Sequence, residues 1–242
     1  MTSSLHCYLS LSMLLLSGVM FRPAYANDKQ IQVVTELSPP YQTLVNNEVA
    51  GSATDIVRDI LSAADISASY SMYPWARTYQ MAISHPNTLI YSIAMTAERR
   101  DLFHWLIPVA HYNFGLVALT ERHDLQITSL EKIADYALAV QRGDVSHQWA
   151  ITQGLKEGEH LIVCPDIHCS WQLLINKKVD FIIESPVLIE EMLERLKQPL
   201  GIAKHIIAIP DLSMAGYLAA NKAIDKTILD KIKLAIKNTA HQ

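Results

Sequence analysis

Short runs of β-branched and aromatic residues alternate with amphipathic stretches along most of the chain, a pattern that predicts strands alternating with helices. Ile31 to Thr35 (IQVVT) predicts a first strand. Pro39 and Pro40 stop it and stiffen the following loop, which puts Glu36 and Tyr41 at the strand's C-terminal edge. Asn46-Asn47-Glu48 reads as a turn. After Gly51, the residues Ile56, Val57, Ile60, Leu61 and Ala64 recur on one helical face. Ser67 to Tyr73 predicts a second strand, and Pro74-Trp75-Ala76-Arg77 opens a helix that runs to about Ser84 and breaks at His85-Pro86-Asn87. Thr88 to Arg100 (TLIYSIAMTAERR) then predicts a third strand, which ends in hydroxyl residues and turns at Thr96 into a helix start.

This βαβαβ progression with short loops implies a parallel sheet. Phe103 to Thr120 is almost continuously apolar and extended, interrupted at Pro108 and Gly115, and reads as a long strand pair where the chain crosses between two lobes. A second series follows. Its predicted elements are a helix at Ser129 to Asp135, a strand at Ala137 to Gln141, the loop Arg142-Gly143-Asp144 and a helix from Ser146. Then come a strand at Leu161 to Cys164, a helix at Ser170 to Asn176, a strand at Val179 to Glu184 and a helix at about Val187 to Leu196. Strands at Ala203 to Ile209 and Met214 to Ala220 and a final amphipathic helix at Ile224 to Lys237 close the chain. No solenoid repeat or low-complexity segment interrupts this order.

The N-terminus follows different rules. Leu9 to Met20 has the length of a signal-peptide core, and Ala24-Tyr25-Ala26 supplies a small-x-small cleavage pattern before Asn27, so residues 1–26 are expected to direct export to the periplasm. An uncleaved anchor is the alternative. The n-region carries no Lys or Arg, and Val19 stands where a lipoprotein cysteine would be. Of the 242 residues, 216 remain after that segment; because it holds one arginine and no other charged residue, the formal charge goes from −4 to −5. A mildly acidic chain argues against nucleic acid as a partner. Its length suits two lobes of about a hundred residues each.

Cys7 leaves with the signal segment. Cys164 and Cys169 remain, an even pair in an oxidising compartment, and read as a local disulfide; a metal site using Cys164, His168 and Cys169 is the alternative and lacks a fourth ligand at familiar spacing. The other candidate chemistry gathers at strand ends, where open α/β sheets bind ligands. Glu36, Trp75 and the segment from Ser92 to Arg99 all fall there. Helix-start N–H groups, the Ser92 and Thr96 hydroxyls and an arginine fork are expected to converge on one small carboxylate. Solvated arginines on an ordinary turn are the bland alternative.

The chain resembles the family-three extracellular solute-binding proteins, the type II periplasmic receptors of polar amino acid ABC transporters. The marks are Thr96-x-x-Arg99, Thr35-Glu36 with Pro39-Pro40-Tyr41, Leu130 with Val140-Gln141-Arg142-Gly143, and Val179-Asp180. Pro74-Trp75-Ala76-Arg77 and Ile93-Ala94-Met95-Thr96 resemble a subgroup of short members. The resemblance implies an α/β, two-lobe periplasmic binding protein type II fold, each lobe a mostly parallel sheet flanked by helices and joined to the other by extended hinge segments. On that reading residues 27–114 and 209–242 form one lobe and 115–208 the other. It implies that Arg99 grips a ligand carboxylate, with Ser92 as the hydroxyl before it, Glu36 as the acidic residue after the first strand and Trp75 as the aromatic platform. Three positions depart from the pattern: Ala94 replaces a serine, the second-lobe hydroxyl falls on Asp144 or Val145, and the amine-binding aspartate falls on Ser185 beside Glu184. Arg77 and Arg142 add cations near the cleft, and Tyr41 is a further candidate contact.

The function implied is capture of a small carboxylate-bearing, amino-acid-like ligand by a monomer that presents it to an ABC transporter permease, with no cofactor and no resident metal. Two alternatives stand beside it. One is a periplasmic enzyme resembling cyclohexadienyl dehydratases, with Glu36 or Glu184 as a proton donor of raised pKa. No Ser-His-Asp order, H-E-x-x-H or phosphate loop supports catalysis. The other is a ligand-sensing partner of a membrane receptor.

Overall fold

The computed structural model describes residues 30–125 and 127–239; the proposed signal segment, its cleavage site and Cys7 lie outside them. Strand β1 (Ile31–Thr35) is followed by a hairpin, β2 (Thr43–Val45) and β3 (Glu48–Ala50), whose turn residues Asn46 and Asn47 take φ of 52° and 64°. Asparagine tolerates that left-handed region, which is why the pair makes a tight turn. Helix α1 (Ser52–Ala63) buries Val57, Ile60 and Leu61 against β1 and the following strands, but Ile56, placed on the same face by periodicity, is 39% exposed. β4 (Ala68–Met72), α2 (Trp75–Ser84) and β5 (Thr88–Ala94) complete the first series. β1 lies between β4 and β5 and is parallel to both.

β6 (Phe103–Leu119) is one strand of 17 residues, not a pair. A 3-10 turn at Leu130–Asp135 replaces the helix expected there and leads into β7 (Leu138–Gln141). α3 (Val145–Thr152), β8 (Leu161–Cys164), α4 (Ile167–Ile175), β9 (Phe181–Glu184) and α5 (Ile189–Arg195) follow. β10 (Ala203–Asn221) unites the two strands expected near the end, and α6 (Lys226–Thr239) packs on α1.

The sheet runs β4-β1-β5-β10-β6-β9-β7-β8. β6 and β10 form an antiparallel ribbon that passes through both lobes, bulged between Ala208 and Ser213. The far end of β10 pairs with β5, and Gly115–Val117 of β6 pair with β9, so each lobe is built outward from the same two strands. β7 is parallel to both β8 and β9. This places the C-terminal ends of β1, β5, β7 and β9 around one cleft. Among the described residues no helix is long and apolar enough to cross a membrane.

Cys164 and Cys169 are joined, which withdraws both thiolates from the metal alternative. The bond closes the turn from β8 into α4, where Asp166 Oδ1 accepts from Cys169 N–H at 2.9 Å as helix cap. Closing so short a loop stabilises the fold by about 2 kcal/mol in the chain-entropy account. Reduction is therefore expected to lower the thermal midpoint by roughly 4–8 °C, measured by melting with and without a thiol-free reductant; a midpoint unchanged by complete reduction would contradict it.

Candidate functional site

The cleft centre is set by what happens just after each strand. Thr35 O, at the end of β1, accepts from Tyr73 N–H and from Thr78 Oγ1, both at 3.0 Å, which ties β1 to the start of α2 and holds Trp75 beside Glu36. In β5, Ser92 takes φ 62°, a region that costs a non-glycine residue of order 1 kcal/mol or more. That backbone turns the Ser92 hydroxyl toward Gln42, to which it donates at 2.9 Å, while Gln42 Nε2 donates to Tyr112 Oη at 3.2 Å. Gly216 is the neighbour that permits it, because a Cβ there would stand 3.0 Å from Ser92 Cα.

The segment after β5 does not start an α-helix. Thr96 O accepts from Arg99 N–H and Arg100 N–H, and a single 3-10 turn at Arg100–Leu102 leads straight into β6. Only six residues separate Thr96 from Phe103, which is 1% exposed in the core, too few to repay helix nucleation. The expected main-chain anion pocket is thus absent: those N–H groups are used within the turn. Thr96 bonds Glu98 through its side chain and lines an outer chamber rather than the centre. What the turn delivers is the Arg99 side chain, 7% exposed, its guanidinium 4.7 Å from the Trp75 ring centroid and 5.3 Å from that of Tyr79.

Across the cleft, Gly143 follows β7 with φ 70°. Its carbonyl accepts from Trp75 Nε1 at 2.8 Å and from Arg99 Nη2 at 3.1 Å, so two side chains of one lobe meet one carbonyl of the other. A second clasp lies at the hairpin. Thr43 Oγ1 donates to Glu191 at 3.1 Å, and Arg195 Nη1 donates to Thr43 Oγ1 at 2.9 Å. The conformation is closed.

The closed centre encloses about 40 Å³, walled by Glu36, Trp75, Ser92, Arg99, Tyr112, Asp144 and Glu184 with Leu37, Phe114 and Ile183. An outer chamber of about 200 Å³ shares the Glu36 and Gln141 wall, and another of about 350 Å³ shares the Arg99 and Asp144 wall. The centre is acidic. Burial, then the charges of Asp144 and Glu184, hold the Glu36 carboxyl well above the usual carboxylate range despite the opposing pull of Arg99, and Glu36 Oε2 is enclosed without a partner. Burial and Asp144 push Glu184, 5% exposed, up to about 8, against a hydrogen bond from Ser185 N–H. Asp144 caps α3, one oxygen accepting from Val145 N–H at 2.7 Å and the other from Ser146 Oγ at 2.8 Å. Burial lowers the pKa of Arg99, partly offset by Asp144, Tyr79 and Glu36.

Of the residues singled out from sequence, Glu36, Ser92, Trp75, Arg99 and Glu184 come together at the centre. Five others do not. Tyr41 donates through its hydroxyl to His111 O at 2.7 Å, which fixes the loop onto β6. Arg77 is exposed and stacks on Tyr73 at 3.9 Å. Arg142 is exposed, and Thr96 sits in the outer chamber. Ser185 is buried, and its carbonyl accepts from Leu188 N–H in the 3-10 turn at Pro186–Leu188. Tyr112 and Gln42 were not named from sequence, and Asp144 was named only as standing at the second-lobe hydroxyl position. Only Asp144 left a signal, a Gly-Asp pair before a helix.

No family model matches the sequence, and no curated protein matches it. Solved structures do. A histidine kinase sensor domain similar to periplasmic binding proteins superposes with TM-score 0.74 at 16% identity, over 88% of this chain and 91% of that one. An ancestral arginine-binding protein bound to arginine gives 0.73 at 18%, over 88% and 93%. The chain has the type II periplasmic binding protein fold. An amino acid ABC transporter substrate-binding protein from Streptococcus pneumoniae, bound to L-arginine, gives 0.71 at 17%, over 88% and 90%.

Two outcomes follow from the site. Trp75→Phe keeps the ring and removes the Nε1 donor, a loss of about 1 kcal/mol from the closed state. The closed-to-open ratio of ligand-free protein is expected to fall about fivefold, seen as a larger radius of gyration by small-angle scattering. The second concerns pH. A carboxyl whose folded pKa lies above its ordinary 4.5 binds protons more tightly in the native state, so Glu184 favours folding below about 4.5 and that contribution is lost as pH rises toward about 8. Ligand-free protein should melt higher at pH 5.5 than at pH 8.5, and Glu184→Gln should flatten the difference; a variant with the same slope as wild type would remove Glu184 as its source.

Proposed function

We propose that this protein is a periplasmic solute-binding protein that captures a small amino-acid-like ligand between its lobes. The observation that carries the reading is one chamber walled from both sides of the cleft, Glu36, Ser92 and Arg99 on one side and Asp144 and Glu184 on the other, so that one cation and three carboxyls face the same space. Arg99 takes the ligand carboxylate. Glu36 and Glu184 take the ammonium, which replaces the missing aspartate at Ser185 by the residue before it. Trp75 supplies the aromatic wall.

Opening at the ribbon of β6 and β10 admits the ligand, and closure removes water from it. The similar structures support this, since two of the three are described as binding or transporting amino acids. The partner is then an ABC transporter permease. A membrane sensor is the alternative partner, in line with the kinase sensor domain of the same fold. The protein acts as a monomer, with lobe boundaries where β6 and β10 cross between sheets, near Phe114–Gly115 and Ala208–Ile209.

One observation favours a second reading. Two buried carboxyls of raised pKa facing one narrow cleft are suited to protonating a leaving group, as a dehydratase requires. Turnover of prephenate-like acids, abolished in Glu36→Gln and Glu184→Gln, would establish it over the binding reading.

A thermal-shift screen of the twenty amino acids, aliphatic amines, dicarboxylates and cyclic acids tests the main proposal, because a ligand of the native state raises the midpoint. For the compound so found, Arg99→Ala is expected to cost roughly 2–5 kcal/mol of binding by calorimetry, as for truncating one partner of a buried charge pair. Unchanged affinity would remove Arg99 from the ligand.

A further inference from the structure

The wall of the central chamber does not balance in charge. Glu36 enters from the end of β1, Asp144 from the start of α3 and Glu184 from the end of β9, three carboxyls in about 40 Å³. Arg99, after β5, is the one cation in that wall. It is already engaged: Nη2 donates to Gly143 O at 3.1 Å, and the guanidinium lies over Trp75 and Tyr79. β6 adds the Tyr112 phenol, which burial holds above its ordinary range, and the elements carrying Ile167 and Leu188 bring only apolar side chains to this wall. Asp166, His168 and Arg195 stand on the far side of Glu36, in the adjoining chamber.

Asp144 is satisfied by two donors, Val145 N–H and Ser146 Oγ. Glu36 Oε2 has none, and Glu184 accepts one, from Ser185 N–H. Three ionised carboxylates against one guanidinium in so narrow a space are held apart from that state by desolvation and by one another. A proton on a glutamate relieves this in the empty chamber. A ligand cation relieves it equally.

We propose that the central chamber exchanges a proton for a cationic nitrogen, which enters between Glu36 and Glu184. This rests on the binding-protein reading and adds to it a ligand charge and a linkage. The carboxylic O–H of Glu184 ionises, its proton passes to the buffer, and the carboxylate accepts N–H from the incoming ammonium, which keeps its own protons. The chamber's net charge is unchanged by the exchange. Because Glu184 is pushed up to about 8, affinity for a cationic ligand rises with pH below that value, by about tenfold per unit for one proton released, and levels off above it. A ligand without an amine gains nothing from rising pH.

The test is calorimetry at pH 6, 7 and 8 in phosphate and in Tris, whose ionisation heats differ, with L-arginine, L-lysine, 1,4-diaminobutane and succinate as probes. The expected result is binding of at least one cationic probe with close to one proton released at pH 7, and none of succinate. In Glu184→Gln the released proton and the pH slope should both fall toward zero. Should that variant not fold, Glu36→Gln and the wild-type proton count still decide. Binding of a cationic probe with equal heats in the two buffers, or of succinate alone, overturns the exchange and leaves the binding-protein reading standing. No binding of these probes overturns the exchange, and no binder anywhere in the wider screen overturns the binding-protein reading with it.

Discussion

The closed state depends on one main-chain carbonyl. Gly143 O accepts from both Trp75 Nε1 and Arg99 Nη2, and these two side chains are also the ones that stack on each other and wall the chamber. The glycine is needed for its backbone, not for room: a Cβ there would meet nothing within 4 Å, but φ 70° is a region that side chains disfavour. That left-handed residue aims the carbonyl at the opposite lobe and lets Asp144 begin α3 at once. Lobe contact, chamber wall and helix cap are therefore set within two residues.

On the proposed binding reading, the ribbon of β6 and β10 is what makes such a contact reversible. Each lobe's sheet is hydrogen-bonded to this ribbon along a different part of its length, so the lobes can rotate by bending the bulged stretch between Ala208 and Ser213 without breaking a sheet. The clasps at Gly143 and at Thr43 are side-chain bonds, each worth about 1 kcal/mol net. Bonds of that size bias a two-state equilibrium and do not lock it, as the proposed ligand capture requires.

Much of this was legible in the sequence because it rests on local patterns. Hydrophobic runs of strand length, the Asn46-Asn47 turn and the proline at the start of α2 predicted element order, and element order places strand ends on one edge. Glu36 was legible for the same reason, as a charge directly after a strand, whereas Arg99, five residues past β5, was reached through the Thr96-x-x-Arg99 pattern. The helix expected at Thr96 failed on a non-local fact, that Phe103 draws the chain into β6 before a second turn can follow the first. Tyr41, Arg77 and Arg142 looked like site residues by position along the chain, but side-chain direction is decided by partners such as His111 O and the Tyr73 ring. Gln42 and Tyr112 carry no pattern at all. They belong to the site through a network spanning 70 residues of sequence, which no local reading detects.

The acidity of the centre reverses the weight that Arg99 carries when read alone. In an open cleft a guanidinium would favour an anion. In the closed one it is taken up by a carbonyl and two aromatic faces, and Glu36, Asp144 and Glu184 outnumber it. Desolvation sets the sign of the preference: it makes closing on unpaired carboxylates unfavourable, and it strengthens the pairing of any cation that fills the gap. A zwitterion satisfies both ends of the chamber, Arg99 with one charge and the glutamates with the other. A simple dicarboxylate leaves the glutamates with more repulsion than before.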